Sequence, residues 1–313
     1  ATTEIYTLSL HDALPICSYD GQGHVIDSLY INEITTSFTY SNTAVGLFGN
    51  TYNATLKNIG LLNVDITGID AGSLTGLSYL DTIENCYATG EVHGSWSTGG
   101  LIGEGVGSSL INCRNSSSVT GESRVGGLIG SDNMVSLYQC YNTGNISGMD
   151  RVGGLVGIQS GAEPTAIHNC FNTGNITGTE QVGGLLGKCN DTKSFFCYST
   201  GIVTGTSYVG GLIGESMVGA NLTNDCFWDI ETSCVPDTTA QEGYGTGLST
   251  AQMKTITTYT DAGWDFIGES ANGTEDIWNI DGVTNNGYPF LAWMTSTGLH
   301  DEDNPVLPDN VTL

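Results

Sequence analysis

Gly126-Gly127-Leu128-Ile129-Gly130 decides the fold, because the same five-residue pattern returns at Gly99–Gly103, Gly153–Gly157, Gly183–Gly187 and Gly210–Gly214. Looser copies stand at Gly46-Leu47-Phe48-Gly49 and Gly76-Leu77-Ser78. The glycine before each leucine falls at 46, 76, 100, 127, 154, 184 and 211, a period of 24 to 30 residues. Periods of this size belong to stacked repeat architectures. Working outward, Cys86, Cys113, Cys140, Cys170, Cys197 and Cys226 keep nearly the same step. Six residues after the first five of them come Val92, Val119, Ile146, Ile176 and Val203. Short β-branched runs separated by Gly, Asn, Ser and Thr read as strands and turns. Such a unit cannot bury its apolar side alone, so each strand must pair with its equivalent one coil away, about 4.8 Å along the axis.

These patterns predict an all-β, right-handed parallel β-helix of about seven or more coils, with a C-terminal capping segment containing one short helix. The leucines at 47, 77, 101, 128, 155, 185 and 212 are expected to form one buried column. Ser249 to Tyr259 reads as the helix, with Ser249 and Gln252 spaced as a capping box and Leu248 placed as a staple. Trp264, Trp278 and Trp293 follow in short apolar runs. The expected organisation is a leader over 1–16, solenoid repeats over 17–226, final coils and cap over 227–298, and a linker or frayed tail over 299–313.

The Gly-Leu-any-Gly signature resembles the GLUG-motif family of bacterial and archaeal surface proteins, over roughly residues 18 to 295. Tyr19-Asp20-Gly21-Gln22-Gly23-His24-Val25-Ile26 is similar to the opening coil of many right-handed β-helices. The tail from Cys226-Phe227-Trp228-Asp229 through Tyr288-Pro289-Phe290-Leu291-Ala292-Trp293 looks like the segment that closes such arrays. The resemblance implies a solenoid at a cell surface, adhesins among its relatives, and no reaction. Thr7 to Ile16 resembles the translation of a sequencing adapter, so 1–16 is set aside as an artefactual leader, and Cys17 with it.

Composition narrows the partners. Seven Lys and Arg stand against 33 Asp and Glu, a formal charge of -26, which repels nucleic-acid phosphates and anionic lipid headgroups. No apolar run is long enough to span a bilayer. The partners left open are a polysaccharide, a host or neighbouring-cell surface, or a second copy of the chain. No cofactor and no metal is expected; His168 beside Cys170 comes nearest to a ligand pair. No catalytic constellation stands out, and Asp150 and Glu180, one coil apart beside Arg151, read as surface charge. The function read here is a non-catalytic extracellular or cell-surface module: spacer, adhesin or assembly unit. The alternative is a carbohydrate-binding or carbohydrate-active β-helix.

Three sets of candidate sites follow. The residues after the ladder cysteines, Tyr87, Arg114, Tyr141, Phe171, Tyr198 and Phe227, turn outward if strand alternation holds and the thiols face in. Their aromatics would make an exposed ribbon for sugar rings or a partner, or a stabilising ladder. Sequons stand at Asn53, Asn115, Asn145, Asn175, Asn190, Asn221, Asn272 and Asn310. Most of the thiols read as a buried ladder, with Cys226 and Cys234 the disulfide candidate. Asn85, Asn112, Gln139 and Asn169 before the thiols, and Asn115, Asn142 and Asn172 after them, read as coil-to-coil amide ladders.

Overall fold

The computed structural model describes residues 18–33, 43–161, 166–190, 193–217, 223–236 and 244–295. The expected leader and tail, and the sequons Asn221 and Asn310, lie outside them. Two compact units divide at Leu248/Ser249.

The first unit is a parallel β-solenoid. One side is an eight-stranded sheet running from Ser18–Asp20 through Ser136–Tyr138 to Thr223–Asn224. A second side has seven strands, from Phe48–Tyr52 through Ile129–Asn133 to Ile213–Ser216. The third side begins as the long strands Gly60–Gly72 and Tyr87–Gly99, which later coils break into short pieces such as Arg114–Asn115, Ser118–Thr120 and Ser123–Gly126. Every pairing in this unit is parallel and joins equivalent residues of adjacent coils, for example Val119↔Ile146↔Ile176↔Val203.

Leu101, Leu128, Leu155, Leu185 and Leu212 form the expected buried column, each at 0–1% exposure. Their amides bond coil to coil, Leu128 N to Leu155 O at 2.8 Å and Leu155 N to Leu185 O at 2.8 Å. One member was misplaced. Leu74, not Leu77, continues the column downward, donating to Leu101 O at 3.0 Å, while Leu77 pairs with Glu104 on the outward side and is half-buried. Gly76-Leu77 imitates the signature locally, but the true copy is Gly72-Ser73-Leu74-Thr75-Gly76, whose Gly72 is in register with Gly99. The step is 27 residues in Ile102↔Ile129↔Val156 and 30 in Val156↔Leu186. The three extra residues fall between Gln159 and Ala166: Asp132↔Gln159 is still 27 apart, whereas Leu137↔Ile167 is 30 apart. Because they fall between two sheets, the ladders on either side stay in register.

The core is double. Leucine, isoleucine and cysteine columns fill the main lobe, and Val119, Val125, Ile146, Val152, Ile176, Val182 and Val203 fill a smaller second one. Between the two runs a buried amide ladder. Asn115 Nδ2 donates to Asn142 Oδ1 at 2.9 Å, Asn142 Nδ2 to Asn172 Oδ1 at 2.8 Å, and Asn172 Nδ2 to Ser199 Oγ at 3.4 Å. Each amide also closes its own turn, as Asn142 does with Gly144 N and O. The signature glycines answer to this packing. A Cβ on Gly127 would stand 2.0 Å from Gly154 O and 2.5 Å from Asn142 Cγ, and one on Gly130 would stand 2.3 Å from Thr98 N. The repeat motif is therefore a packing motif, in which glycine lets two backbones and an amide share one space.

The second unit holds Trp264 against Trp278 at 4.8 Å and against Tyr259 at 4.8 Å. Its capping box forms, with Ser249 N donating to Gln252 Oε1 at 3.0 Å and Gln252 N to Ser249 Oγ at 3.4 Å. The expected single helix is two turns, Thr250–Met253 and Ile256–Thr260. They break at Thr255, which is extended (φ -112, ψ 118), inside a run of β-branched residues that disfavour helix. No helix among the described residues is long and apolar enough to cross a membrane.

Candidate functional site

The ribbon expected after the cysteines exists as a stack but not as a surface. Tyr141 and Phe171 lie 4.8 Å apart at an interplanar angle of 3°, and Phe171 and Tyr198 lie 5.1 Å apart at 4°. Yet Tyr141, Phe171, Tyr198 and Phe227 are 4%, 0%, 0% and 8% exposed. Tyr87, half-buried, carries the Arg114 guanidinium over its ring at 4.5 Å. Alternation fails because each cysteine sits at a corner: Gln139 and Asn169 take left-handed φ of 53° and 55°, and the strand beyond is two residues long. Both the thiol and the following ring then point into packed interior.

The exposed aromatic stack lies two residues before the cysteines. Tyr138, His168 and Phe195 stack on the outward face of the eight-stranded sheet, at 5.6 Å and 4.5 Å. In-register rings cover one another's faces, so only their edges meet solvent and no sugar ring can lie flat on them.

None of the eight cysteines among the described residues forms a disulfide. Cys226 is buried in the ladder, where it accepts from Cys197 N at 3.4 Å, while Cys234 is exposed beyond the turn Ile230–Ser233 that Asp229 caps. The Cys226–Cys234 bridge is thus absent, because the two residues face opposite environments. Burial pushes the Cys140 and Cys170 thiols up and keeps them protonated. Among the sequons, Asn115 is corrected: it is fully buried in the amide ladder and closed to a glycan. Asn272 donates to Thr260 O at 2.6 Å and to Trp264 O at 3.2 Å, and Asn190 is half-buried. Asn53, Asn145 and Asn175 are exposed. Among the described residues no group of three or more His, Cys, Asp or Glu side chains is arranged to hold a metal.

A different site emerges where the two lobes meet. The strand ending each third-side run turns through Gly-Gly-Leu directly into the second sheet, and the two arms diverge from that turn. A Cβ on Gly103 would stand 2.8 Å from Asp70 C, one on Gly187 2.5 Å from Arg151 C, and one on Gly214 2.7 Å from Gln181 C. The residues following these glycines, Glu104, Lys188 and Glu215, therefore stand beside Asp70, Arg151 and Gln181 across a notch that runs along the axis. Gln181 Nε2 bridges it to Glu215 Oε2 at 2.5 Å, and Lys188 pairs with Glu215 at 2.7 Å. Arg151 pairs with Asp150 at 2.9 Å. At the other end burial pushes the Asp70 carboxyl up. Burial and then the charge of Asp70 push Glu104 up, with Arg124 pulling it down. Arg124 lies over the ring of Trp96 at 4.6 Å, and Trp96 is 47% exposed. Three of the chain's seven cations thus stand along one seam. Sequence reading missed it because its residues come from different arms; the signal was the aligned column Arg124, Arg151, Gln181, each one residue before a core valine.

The model of one family, the GLUG motif, matches residues 151–177, which hold one Gly-Gly-Leu-Val-Gly copy and the ladder residues Cys170 to Asn172. The chain carries the GLUG motif. No curated protein matches it in sequence at a significant level. Among solved structures, that of a "putative immunoglobulin A1 protease" from Bacteroides ovatus is similar at 20% identity and a TM-score of 0.52, covering 88% of this chain and 76% of the other. At that identity the likeness speaks for the fold. The GLUG signature in this chain is accounted for by packing: its leucine fills the core and its glycines admit the amide ladder.

Proposed function

We propose that this chain is a non-catalytic solenoid module that works at a cell surface or in an extracellular matrix as spacer, adhesin or assembly unit. One observation carries the reading: the polar groups the repeats share are engaged in holding coil to coil. The asparagines form the inter-lobe ladder, the thiols accept backbone N–H groups, and the rings stack on one another. Repetition in this chain therefore serves a rigid support that carries function on its surface. The strongly acidic composition suits a solvated surface. In a glycosylating host, Asn53, Asn145 and Asn175 are the accessible sequons. Asn145 and Asn175 are one coil apart, with Asn175 N donating to Asn145 Oδ1 at 3.1 Å, so glycans on both would collide and one at a time is expected.

The test is labelling of intact source cells with a membrane-impermeant amine reagent, which exposed Lys193 and partly exposed Lys57 would take up. Labelling before lysis is expected. Labelling that appears only after lysis would contradict the surface reading.

A second reading, a carbohydrate-active enzyme, is favoured by one observation: Asp70 and Glu104 converge from different arms with both carboxyls pushed up by burial. A peptidase, as the Bacteroides ovatus protein is named, would need an activated nucleophile or a metal-bound water. Here His93 is bonded to Glu91 at 3.2 Å, and His168 is clamped between two rings. Release of new reducing ends from a glycan by the purified chain would favour the enzyme.

A further inference from the structure

The notch between the lobes contains buried polar atoms that the fold leaves unmatched. Arg124, Arg151 and Gln181 occupy one column on successive coils, each with left-handed backbone at φ 52°, 56° and 57°. Each also holds a buried polar atom without a hydrogen-bond partner: Nε of Arg124, Nε of Arg151 and Oε1 of Gln181. The Gln181 side chain is 7% exposed, and its amide lies in the notch because Nε2 reaches Glu215 across it. Leaving a buried polar atom unmatched is costly, so three on adjacent rungs of one column call for an explanation. Trp96 stands beside this column. Trp228, Trp264 and Trp278 are 0–1% exposed and Trp293 is half-buried, whereas Trp96 is 47% exposed and lies against Arg124.

We propose that this notch binds an extended, uncharged polysaccharide, with Trp96 receiving a sugar ring and Arg124, Arg151 and Gln181 receiving its hydroxyls. The ligand class follows from the lining. Sugar hydroxyls donate and accept, which matches two guanidinium donors and an amide acceptor set among carboxylates. A polyanion would meet Asp70, Glu104, Asp150 and Glu215 on a chain of charge -26, and a polycation would meet Arg124, Arg151 and Lys188. A neutral chain meets neither obstacle. Rungs about 4.8 Å apart repeat the same donors along the axis, which suits a polymer rather than a single sugar. Movement of the Gln181 amide off Glu215 would free its oxygen and nitrogen together, so binding is expected to loosen that contact.

The inference rests on the adhesive form of the reading above and is separable from it, since location is measured on cells and binding on purified protein. Affinity electrophoresis of the full chain in gels containing hydroxyethyl cellulose, dextran, laminarin or polygalacturonate supplies the test. Retardation by at least one of the three neutral glycans and none by polygalacturonate is expected. Trp96→Ala and Arg124→Gln should each weaken the retardation at least tenfold, while Tyr30→Ala, at a 61% exposed ring of the first coil, should leave it unchanged. Because Arg124 also packs, tryptophan fluorescence of the unaltered protein gives a second readout: the same glycan should shift the emission of exposed Trp96. Failure of all three neutral glycans to bind, a preference for polygalacturonate, or full binding by folded Trp96→Ala would overturn the proposal and assign the unmatched atoms to ordered water.

Discussion

Replacing Gly154 by valine is expected to destabilise the solenoid by about 4 kcal/mol or more, measured by urea unfolding followed by circular dichroism. A Cβ there would stand 2.2 Å from Gly184 O and 2.5 Å from Asn172 Cγ. Neither neighbour is the free end of a flexible side chain: one is the backbone of the next coil and the other is a rung of the buried amide ladder. Relief requires the coils to move apart, which breaks parallel hydrogen bonds on both sides of the site. Overpacking alone costs roughly 1–3 kcal/mol, and the lost ladder bonds add about 1 kcal/mol each. Gly23→Ala separates this cause from backbone strain. Gly23 has φ 77° and nothing within 4 Å of an added Cβ, so about 1 kcal/mol is expected there. Similar losses in the two variants would show that the signature glycines serve only backbone conformation.

The second large effect is a dependence of stability on pH that runs through Asp132. This carboxyl is fully buried, accepts Val135 N at 2.7 Å through Oδ1, and has no partner for Oδ2. Burial raises its pKa from 3.8 to about 8. Between those pH values the folded chain holds a proton that the unfolded chain releases. Its contribution is therefore fully present below about pH 4, declines as pH rises, and is gone above about pH 8. The decline from this one group amounts to up to about 6 kcal/mol. Asp132→Asn, which mimics the protonated acid, is expected to match the parent near pH 3 and to exceed it increasingly from pH 4 to pH 9. Thermal unfolding across that range checks it, and a variant with the parent's full slope would refute the assignment. Asp70 and Glu104 are also raised by burial, so some slope of the same sign will remain.

What the sequence made legible, and what it hid, divides along physical lines. The leucine and cysteine columns could be read because stacking forces identical spacing, and Leu128, Leu155 and Cys140 fall where that spacing puts them. The asparagine ladder could be read for the same reason. Leu77 imitates Leu74 because Gly76-Leu77 keeps the adjacent glycine and leucine of the signature, whereas the true copy carries Ser73 between Gly72 and Leu74, and only pairing with Leu101 distinguishes them. Tyr141, Phe171 and Tyr198 were sent outward by a rule of strand alternation that does not survive a corner. The outward stack formed instead by Tyr138, His168 and Phe195 obeys that rule, since it lies on a regular three-residue strand. The notch was hidden because its parts are contributed by opposite arms: Glu104 and Arg124 are 20 residues apart in sequence, and Asp70 is a further coil away. Composition showed that cations are few without showing that three of them share a seam.

The account stands or falls on in-register parallel stacking, and pulsed electron–electron resonance measures it directly. Thr55 and Lys193 occupy one outward column through Thr82, Ser109, Ser136 and Ala166. Five steps of about 4.8 Å place their backbones roughly 24 Å apart. Nitroxides on Thr55→Cys and Lys193→Cys, in a chain whose exposed Cys234 is changed to serine, should give one narrow distribution centred near that distance. A broad distribution, or a sharp one centred well away from it, would contradict the stack and with it the notch, the amide ladder and the reading of the repeat.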